Sequence, residues 1–210
     1  MRGPGLAGDP VTVAPRDALA LVEVDAVASG LRTLDALVKR AEVHVLEANL
    51  VEPGRFLILF DGGVAEVEEA FDAALEQGGD AIVGRMKLPF AHPHLLRGLR
   101  GHENKAGADA LDTLGVIEGT AVAAVLEACD RSLKEADVTL TGVRVAGALG
   151  GRAFYVVHGA QHDVEAAIEA GTAVLERHDR LHRTERIARP HPDMVPWLLR
   201  PAPFRLSGGH

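Results

Sequence analysis

The chain repeats itself, and this limits its possible folds more than any other feature. When DALALVEVDAVASGLRTLDALVKRAEVHVL is set against DTLGVIEGTAVAAVLEACDRSLKEADVTLT, Leu19, Glu23, Asp35, Lys39, Ala41 and Val43 fall on Leu114, Glu118, Asp130, Lys134, Ala136 and Val138 at one constant offset. Further on, Gly62, Val67, Glu68, Ala70 and Ala73 fall on Gly159, Val164, Glu165, Ala167 and Ala170, with the offset grown slightly in the intervening loop. Such self-similarity marks two copies of one domain, so the fold to be found is that of half the chain. The polar, Gly-rich stretch RGLRGHENKAGADA reads as the connection between them. The expected division is a flexible extension over 1–16, a first domain over 17–97, a linker over 98–111, a second domain over 112–199 and a tail over 200–210.

Each copy reads β-α-β-β-α-β. In the first, LALVEV is a strand, and Val27, Leu31, Leu34 and Val38 recur at helical spacing behind Asp25, a residue type suited to an N-cap. VHVLEANLV then turns at Glu52-Pro53-Gly54 into FLILF. A second helix carries Val64, Val67, Phe71 and Leu75 on one face, and a last strand runs from about Asp80 to Leu88. In the second copy a helix starting at Thr120 carries Val122, Val125, Leu126, Cys129 and Leu133, and Asp163 is expected to cap the next one. The strands there are LGVIE, VTLTGVRV, AFYVV and TERIAR. Short connections favour an antiparallel sheet with both helices on one face, an α+β fold of the ferredoxin-like class, present twice in unpermuted order.

Charge and composition remove several functions. Lys and Arg number 22 and Asp and Glu 30, a formal net charge of −8. That sign opposes a nucleic-acid or anionic-membrane partner, whose binding draws on cations that neutralise phosphates. The aromatic strand residues Phe56, Phe60, Phe154 and Tyr155 are accordingly read as packing residues rather than RNA-stacking platforms. No stretch approaches the roughly 20 apolar residues of a membrane span, and the opening MRGPGLAGDP interrupts any signal-peptide apolar run. The single Cys129 leaves no internal disulfide and fits a reducing compartment, the cytoplasm. Serine occurs only at positions 29, 132 and 207, with no nucleophile-base or phosphate-loop pattern around it, so no catalytic residue is assigned.

Local motifs carry a more specific signal. Leu114-Gly115-Val116-Ile117-Glu118-Gly119, then the run Ala128 to Val138, the Gly-rich turn Ala146 to Gly151, and Arg189-Pro190-His191-Pro192-Asp193 together resemble the shell-protein domain of bacterial microcompartments. The first copy resembles it through Asp35 to Val43 and Pro53-Gly54-Arg55. Two such domains in unpermuted order are similar to the tandem members of that family. The resemblance implies a non-enzymatic homotrimer that mimics a hexamer and tiles with hexameric and pentameric shell proteins. Small polar metabolites would then cross a central pore.

It further implies pore-lining roles for Glu52, Pro53, Gly54, Gly147, Ala148, Leu149 and Gly150, and tile-edge roles for Lys39, Lys134, Arg189, His191 and His92. Phe90 stands where the first copy would carry the edge arginine. The propanediol-utilisation tandem type, which the first copy most resembles, has a cysteine before Pro-Gly that holds an iron-sulfur cluster. Here that position is Glu52, so no cofactor and no metal is expected. His92 with His94, and His191 with Asp193, are interleaved with proline and are read as edge or surface groups rather than metal ligands. The rival reading from composition and fold alone is a ferredoxin-like enzyme or small-ligand sensor that forms a closed oligomer.

Overall fold

The computed structural model describes residues 17–100, 112–145 and 149–194. The expected extension, most of the linker, the tail, and the pore candidates Gly147 and Ala148 lie outside the described residues.

The first copy is built from β1 (Ala18–Val24), α1 (Val27–Arg40), β2 (His44–Val51), β3 (Arg55–Gly62), α2 (Val64–Gly78) and β4 (Ile82–Leu88), and α3 (Pro93–Leu99) follows it. The second copy contains β5 (Thr113–Gly119), α4 (Val122–Glu135), β6 (Thr139–Val145), β7 (Ala153–Gly159), α5 (Gln161–Arg177) and β8 (Leu181–Ala188). The sheets have matching orders, β2-β3-β1-β4 and β6-β7-β5-β8, and the strand pairs in each are antiparallel. The α+β repeat expected from sequence is therefore present in both halves. The boundary expected at residue 97 falls inside α3.

Several helix starts differ from the sequence reading, for one reason. The Asp25 N–H is bonded to the Ala81 carbonyl at 2.9 Å, which keeps Asp25 in register with the strands, and Ala26 takes the N-cap without a side-chain cap. Thr120 is held in the same way by the Arg180 carbonyl, so α4 starts at Val122 with Ala121 as its N-cap. Asp163 lies in the first turn of α5 behind Ala160, where its carboxylate complements the helix dipole rather than capping.

Alternation along the central strands separates two faces. In β1, Ala18, Ala20, Val22 and Val24 pack on Leu37 of α1 and Val67, Ala70, Phe71 and Ala74 of α2. Gly30 is required at this contact, since a Cβ there would lie 2.5 Å from the Phe56 Cβ. The alternate residues Leu19 and Leu21, with Leu57, Leu59 and Met86, face the other way and join the core of the second copy. Both faces of the first sheet are thus covered, which explains why every β1 residue is buried. The equivalent outer face of the second sheet carries a smaller cluster, Leu114 and Val156 beside partly exposed Val116, Phe154, Ile187 and Met194.

Candidate functional site

Two regions hold the residues singled out by sequence: the seam where the copies meet, and a pair of turns at one end of the sheets. The seam is made by α4. Its stripe Val122, Leu126 and Leu133 is 1%, 0% and 4% exposed within the combined core, and Cys129 lies among them. In α1 the same stripe, Val27, Leu31 and Val38, is 39%, 52% and 45% exposed. The buried residues of α1 are instead Gly30, Thr33 and Leu37. The apolar stripe that identifies α1 in the sequence is therefore not the face it turns to its own core.

Polar groups finish the seam. Asp130 is buried and accepts the His92 N–H at 2.7 Å. Lys134 donates to the Phe90 carbonyl at 2.6 Å and to Asp130 at 2.5 Å. Within one chain Lys134 thus closes on the turn after β4, while Arg189 occupies the corresponding turn after β8. Lys134 also lines an open groove of about 890 Å³ between α4 and α5, with Glu127, Asp130, Glu169 and Arg177 around it. Arg100 at the end of α3 donates to the buried Asp61 carboxylate at 3.0 and 2.8 Å, fixing the exit from the first copy.

The histidine pairs serve their own turns. His92 Nδ1 accepts the His94 N–H at 3.2 Å and caps α3, and His191 Nδ1 accepts the Asp193 N–H at 3.3 Å. Burial lowers the pKa of both His92 and His94 below the ordinary imidazole value. Among the described residues no group of three or more His, Cys, Asp or Glu side chains converges as metal ligands.

The paired turns are β2–β3 and β6–β7. Gly54 closes the first by donating to the Val51 carbonyl at 3.0 Å, and Arg152 closes the second by donating to Leu149 at 3.2 Å. They meet: the Gly150 N–H donates to Glu52 Oε2 at 2.9 Å. Gly151 has φ of +79°, and a Cβ on it would lie 2.6 Å from the Glu52 carbonyl oxygen, so this approach needs glycine on both counts. The structure brings Glu52 and Gly150, both expected at a pore, into direct contact across the two copies.

Behind each turn sits a glutamate-arginine pair. Arg55 Nη1 lies 3.3 Å from Glu23 Oε2, and burial raises the Glu23 pKa against the opposing fields of Arg55 and Arg180. In the second copy Glu118 faces Arg152 at 3.6 Å, and Arg152 meets His182 at 2.9 Å, all more exposed. Sequence reasoning noted Glu23 and Glu118 only as repeat landmarks. A carboxylate at matching positions in two otherwise apolar strands was the available signal. Asp61 with Arg100 left no such trace, because their pairing spans 39 residues.

The iron-sulfur cluster that resemblance to the propanediol-utilisation tandem type would imply does not fit here. It needs thiolates at the position of Glu52, and the chain's one thiol is buried in α4, where burial pushes its pKa up. Ser132 is likewise committed to structure: its hydroxyl donates to the Ala167 carbonyl at 2.6 Å and accepts from Tyr155 at 2.7 Å.

Comparison with known proteins agrees with this architecture. The BMC domain matches twice, over residues 18–90 and 113–190. The bacterial microcompartment shell protein PduT of Citrobacter freundii is 31% identical over 177 residues, 84% of this chain and 95% of that protein. The shell protein EutM of Salmonella typhimurium is 37% identical over 84 residues, 40% of this chain and 85% of that protein. Among solved structures, a microcompartment protein from Desulfitobacterium hafniense DCB superposes with a TM-score of 0.78 at 28% identity, covering 86% of this chain and 98% of that one.

Proposed function

Because this chain belongs to the BMC domain family and is a bacterial microcompartment shell protein with two such domains in tandem, we propose that three copies close into a ring of six domains, a tile of the shell with a central pore. The observation that carries this reading is the stripe on α1. Val27, Leu31 and Val38 are exposed, while their repeat equivalents on α4 are buried under the first sheet of the same chain. Full burial of each such side chain contributes roughly 1.5–3 kcal/mol, more than any exposed ion pair at about 0–1 kcal/mol. The surface fitted to cover α1 is the outer face of a second sheet, around Val116, Phe154 and Ile187, and within one chain that sheet lies in the wrong copy. Such a head-to-tail contact closes into a ring or runs on as a filament. With one seam inside each chain, three chains complete six.

In this tile the turns at Glu52, Pro53 and Gly54 alternate around the axis with those at Gly147, Ala148, Leu149 and Gly150. Three carboxylates at the opening favour cations over anions among the small polar metabolites that pass. Lys39, Lys134, Arg189, His191 and His92 lie toward the rim, where tiles meet hexameric and pentameric shell proteins in the cytoplasm. The role is structural and not enzymatic, in keeping with relatives that are shell proteins. Light scattering tests the assembly: a mass near three times 22.2 kDa, or twice that for stacked rings, is expected. A persistent monomer would remove the tile. Electron microscopy at high concentration should show layers; discrete closed particles alone would favour a sensor.

A further inference from the structure

The seam inside the chain has a second half that is built but not closed. Asp130 and Lys134 sit four residues apart on α4 and hold the turn after β4, Asp130 through the His92 N–H and Lys134 through the Phe90 carbonyl. Asp35 and Lys39 occupy the same places on α1. Their side chains are 2.6 Å apart and exposed, and among the described residues neither reaches the main chain of such a turn. The turn after β8 corresponds in sequence to the one after β4, with one backbone difference: Pro190 stands where Ala91 donates to the Asp17 carbonyl, so Arg189, at φ +47°, donates to the Asp112 carbonyl instead. Arg189 and His191 stand where Phe90 and His92 stand, and each turn has its histidine Nδ1 accepting the N–H two residues on. His191 is exposed.

We propose that Asp35 and Lys39 of one copy close on the main chain of a second copy, Asp35 accepting the His191 N–H and Lys39 donating to the Arg189 carbonyl. The inference rests on the tile reading and assigns the polar register of its intermolecular seam. The apolar stripe supplies the attraction, and it is non-directional. The two charged groups, reaching main-chain atoms at fixed spacing, set which turn meets which helix. A one-residue slip would leave a carboxylate facing a proline nitrogen, since Pro190 and Pro192 flank His191 and carry no N–H. Lys39 then serves within a tile first, where the rim and the seam meet.

Hydrogen exchange on the full chain tests this. In the assembled wild type, the His191 amide should be protected, as the His92 amide is by Asp130. Asp35→Ala should speed His191 exchange about tenfold or more, the loss of one hydrogen bond to a charged acceptor, at concentrations where light scattering still gives the trimer mass. Asp35→Asn keeps an acceptor oxygen and should stay near wild type. Asp130→Ala serves as the reference, with the same loss at His92 and none at His191. If the trimer forms and Asp35→Ala leaves His191 unchanged, the clamp is wrong and the tile stands. If the wild type is monomeric at every concentration, both fall together.

Discussion

Helices α1 and α4 are written with one pattern and end in opposite surroundings. Val27, Leu31 and Val38 on α1 face solvent in the single chain, whereas Val122, Leu126 and Leu133 on α4 lie beneath the first sheet. Sequence differences do not cause this, since both stripes are apolar at the same spacing. Chain order does: the second copy has a sheet placed before it in the same molecule, and the first does not. An exposed apolar stripe whose duplicate is a buried interface is better read as half of that interface than as surface tolerance. Isolated exposed leucines need no explanation, but a matched set does.

The comparison can be broken most sharply at its centre. Leu126→Asp should unfold or grossly destabilise the chain, by about 3 kcal/mol or more, because a carboxylate would be stranded in the combined core. Leu31→Asp should leave the chain folded, with a urea midpoint near wild type, and abolish the trimer. Equal effects of the two on chain stability would refute the contrast. Next comes the polar rim of the seam. Asp130→Ala leaves the His92 N–H without its acceptor and should cost about 1–3 kcal/mol in chemical denaturation, against roughly 0.5 kcal/mol or less for Asp35→Ala in a chain kept monomeric by Leu31→Asp.

The smallest effect concerns the two glutamates. Glu23 is buried, and burial raises its pKa. The folded state therefore holds a proton that the unfolded chain releases, so stability declines as pH rises through the interval just above the ordinary glutamate value. That loss is complete once pH exceeds the raised folded value. Glu23→Gln should flatten this dependence and raise stability slightly at neutral pH. The matching Glu118→Gln should change monomer stability little, since Glu118 is partly exposed. A pH profile unaltered by Glu23→Gln would show that the Arg55 and Arg180 fields cancel the effect of burial, and one altered in the opposite sense that they outweigh it.

Much of this was legible in the residues. The duplication, the element order and the sheet class follow from repeated landmarks and from periodicity. The motif at Glu52-Pro53-Gly54 marked one of the two turns that meet, and the glycines near Gly150 marked the other. What periodicity does not carry is which apolar face of a helix serves its own domain. Val27, Leu31, Leu34 and Val38 form a good stripe, yet α1 fully buries Gly30, Thr33 and Leu37 and only partly Leu34, with Gly30 set against Phe56 where a Cβ would not fit. Helix starts were misplaced at Asp25 and Thr120, where hydrogen bonds to carbonyls 56 and 60 residues away outweigh local capping. The clasp of Lys134 on Phe90 was likewise invisible, being a bond to main chain that no side-chain motif announces.

The tether across α3 has a kinetic consequence. Its two ends are anchored, by Arg100 on Asp61 and by Asp130 on His92, so the partners of the internal seam face each other at millimolar effective concentration whatever the cell contains. In the proposed ring, dilution would therefore part only every second junction. What left or joined such a ring would always be a matched pair of domains, with the Glu52 turn and the Gly150 turn already touching. A mixed ring in which two neighbouring positions carry the same turn cannot arise by exchange.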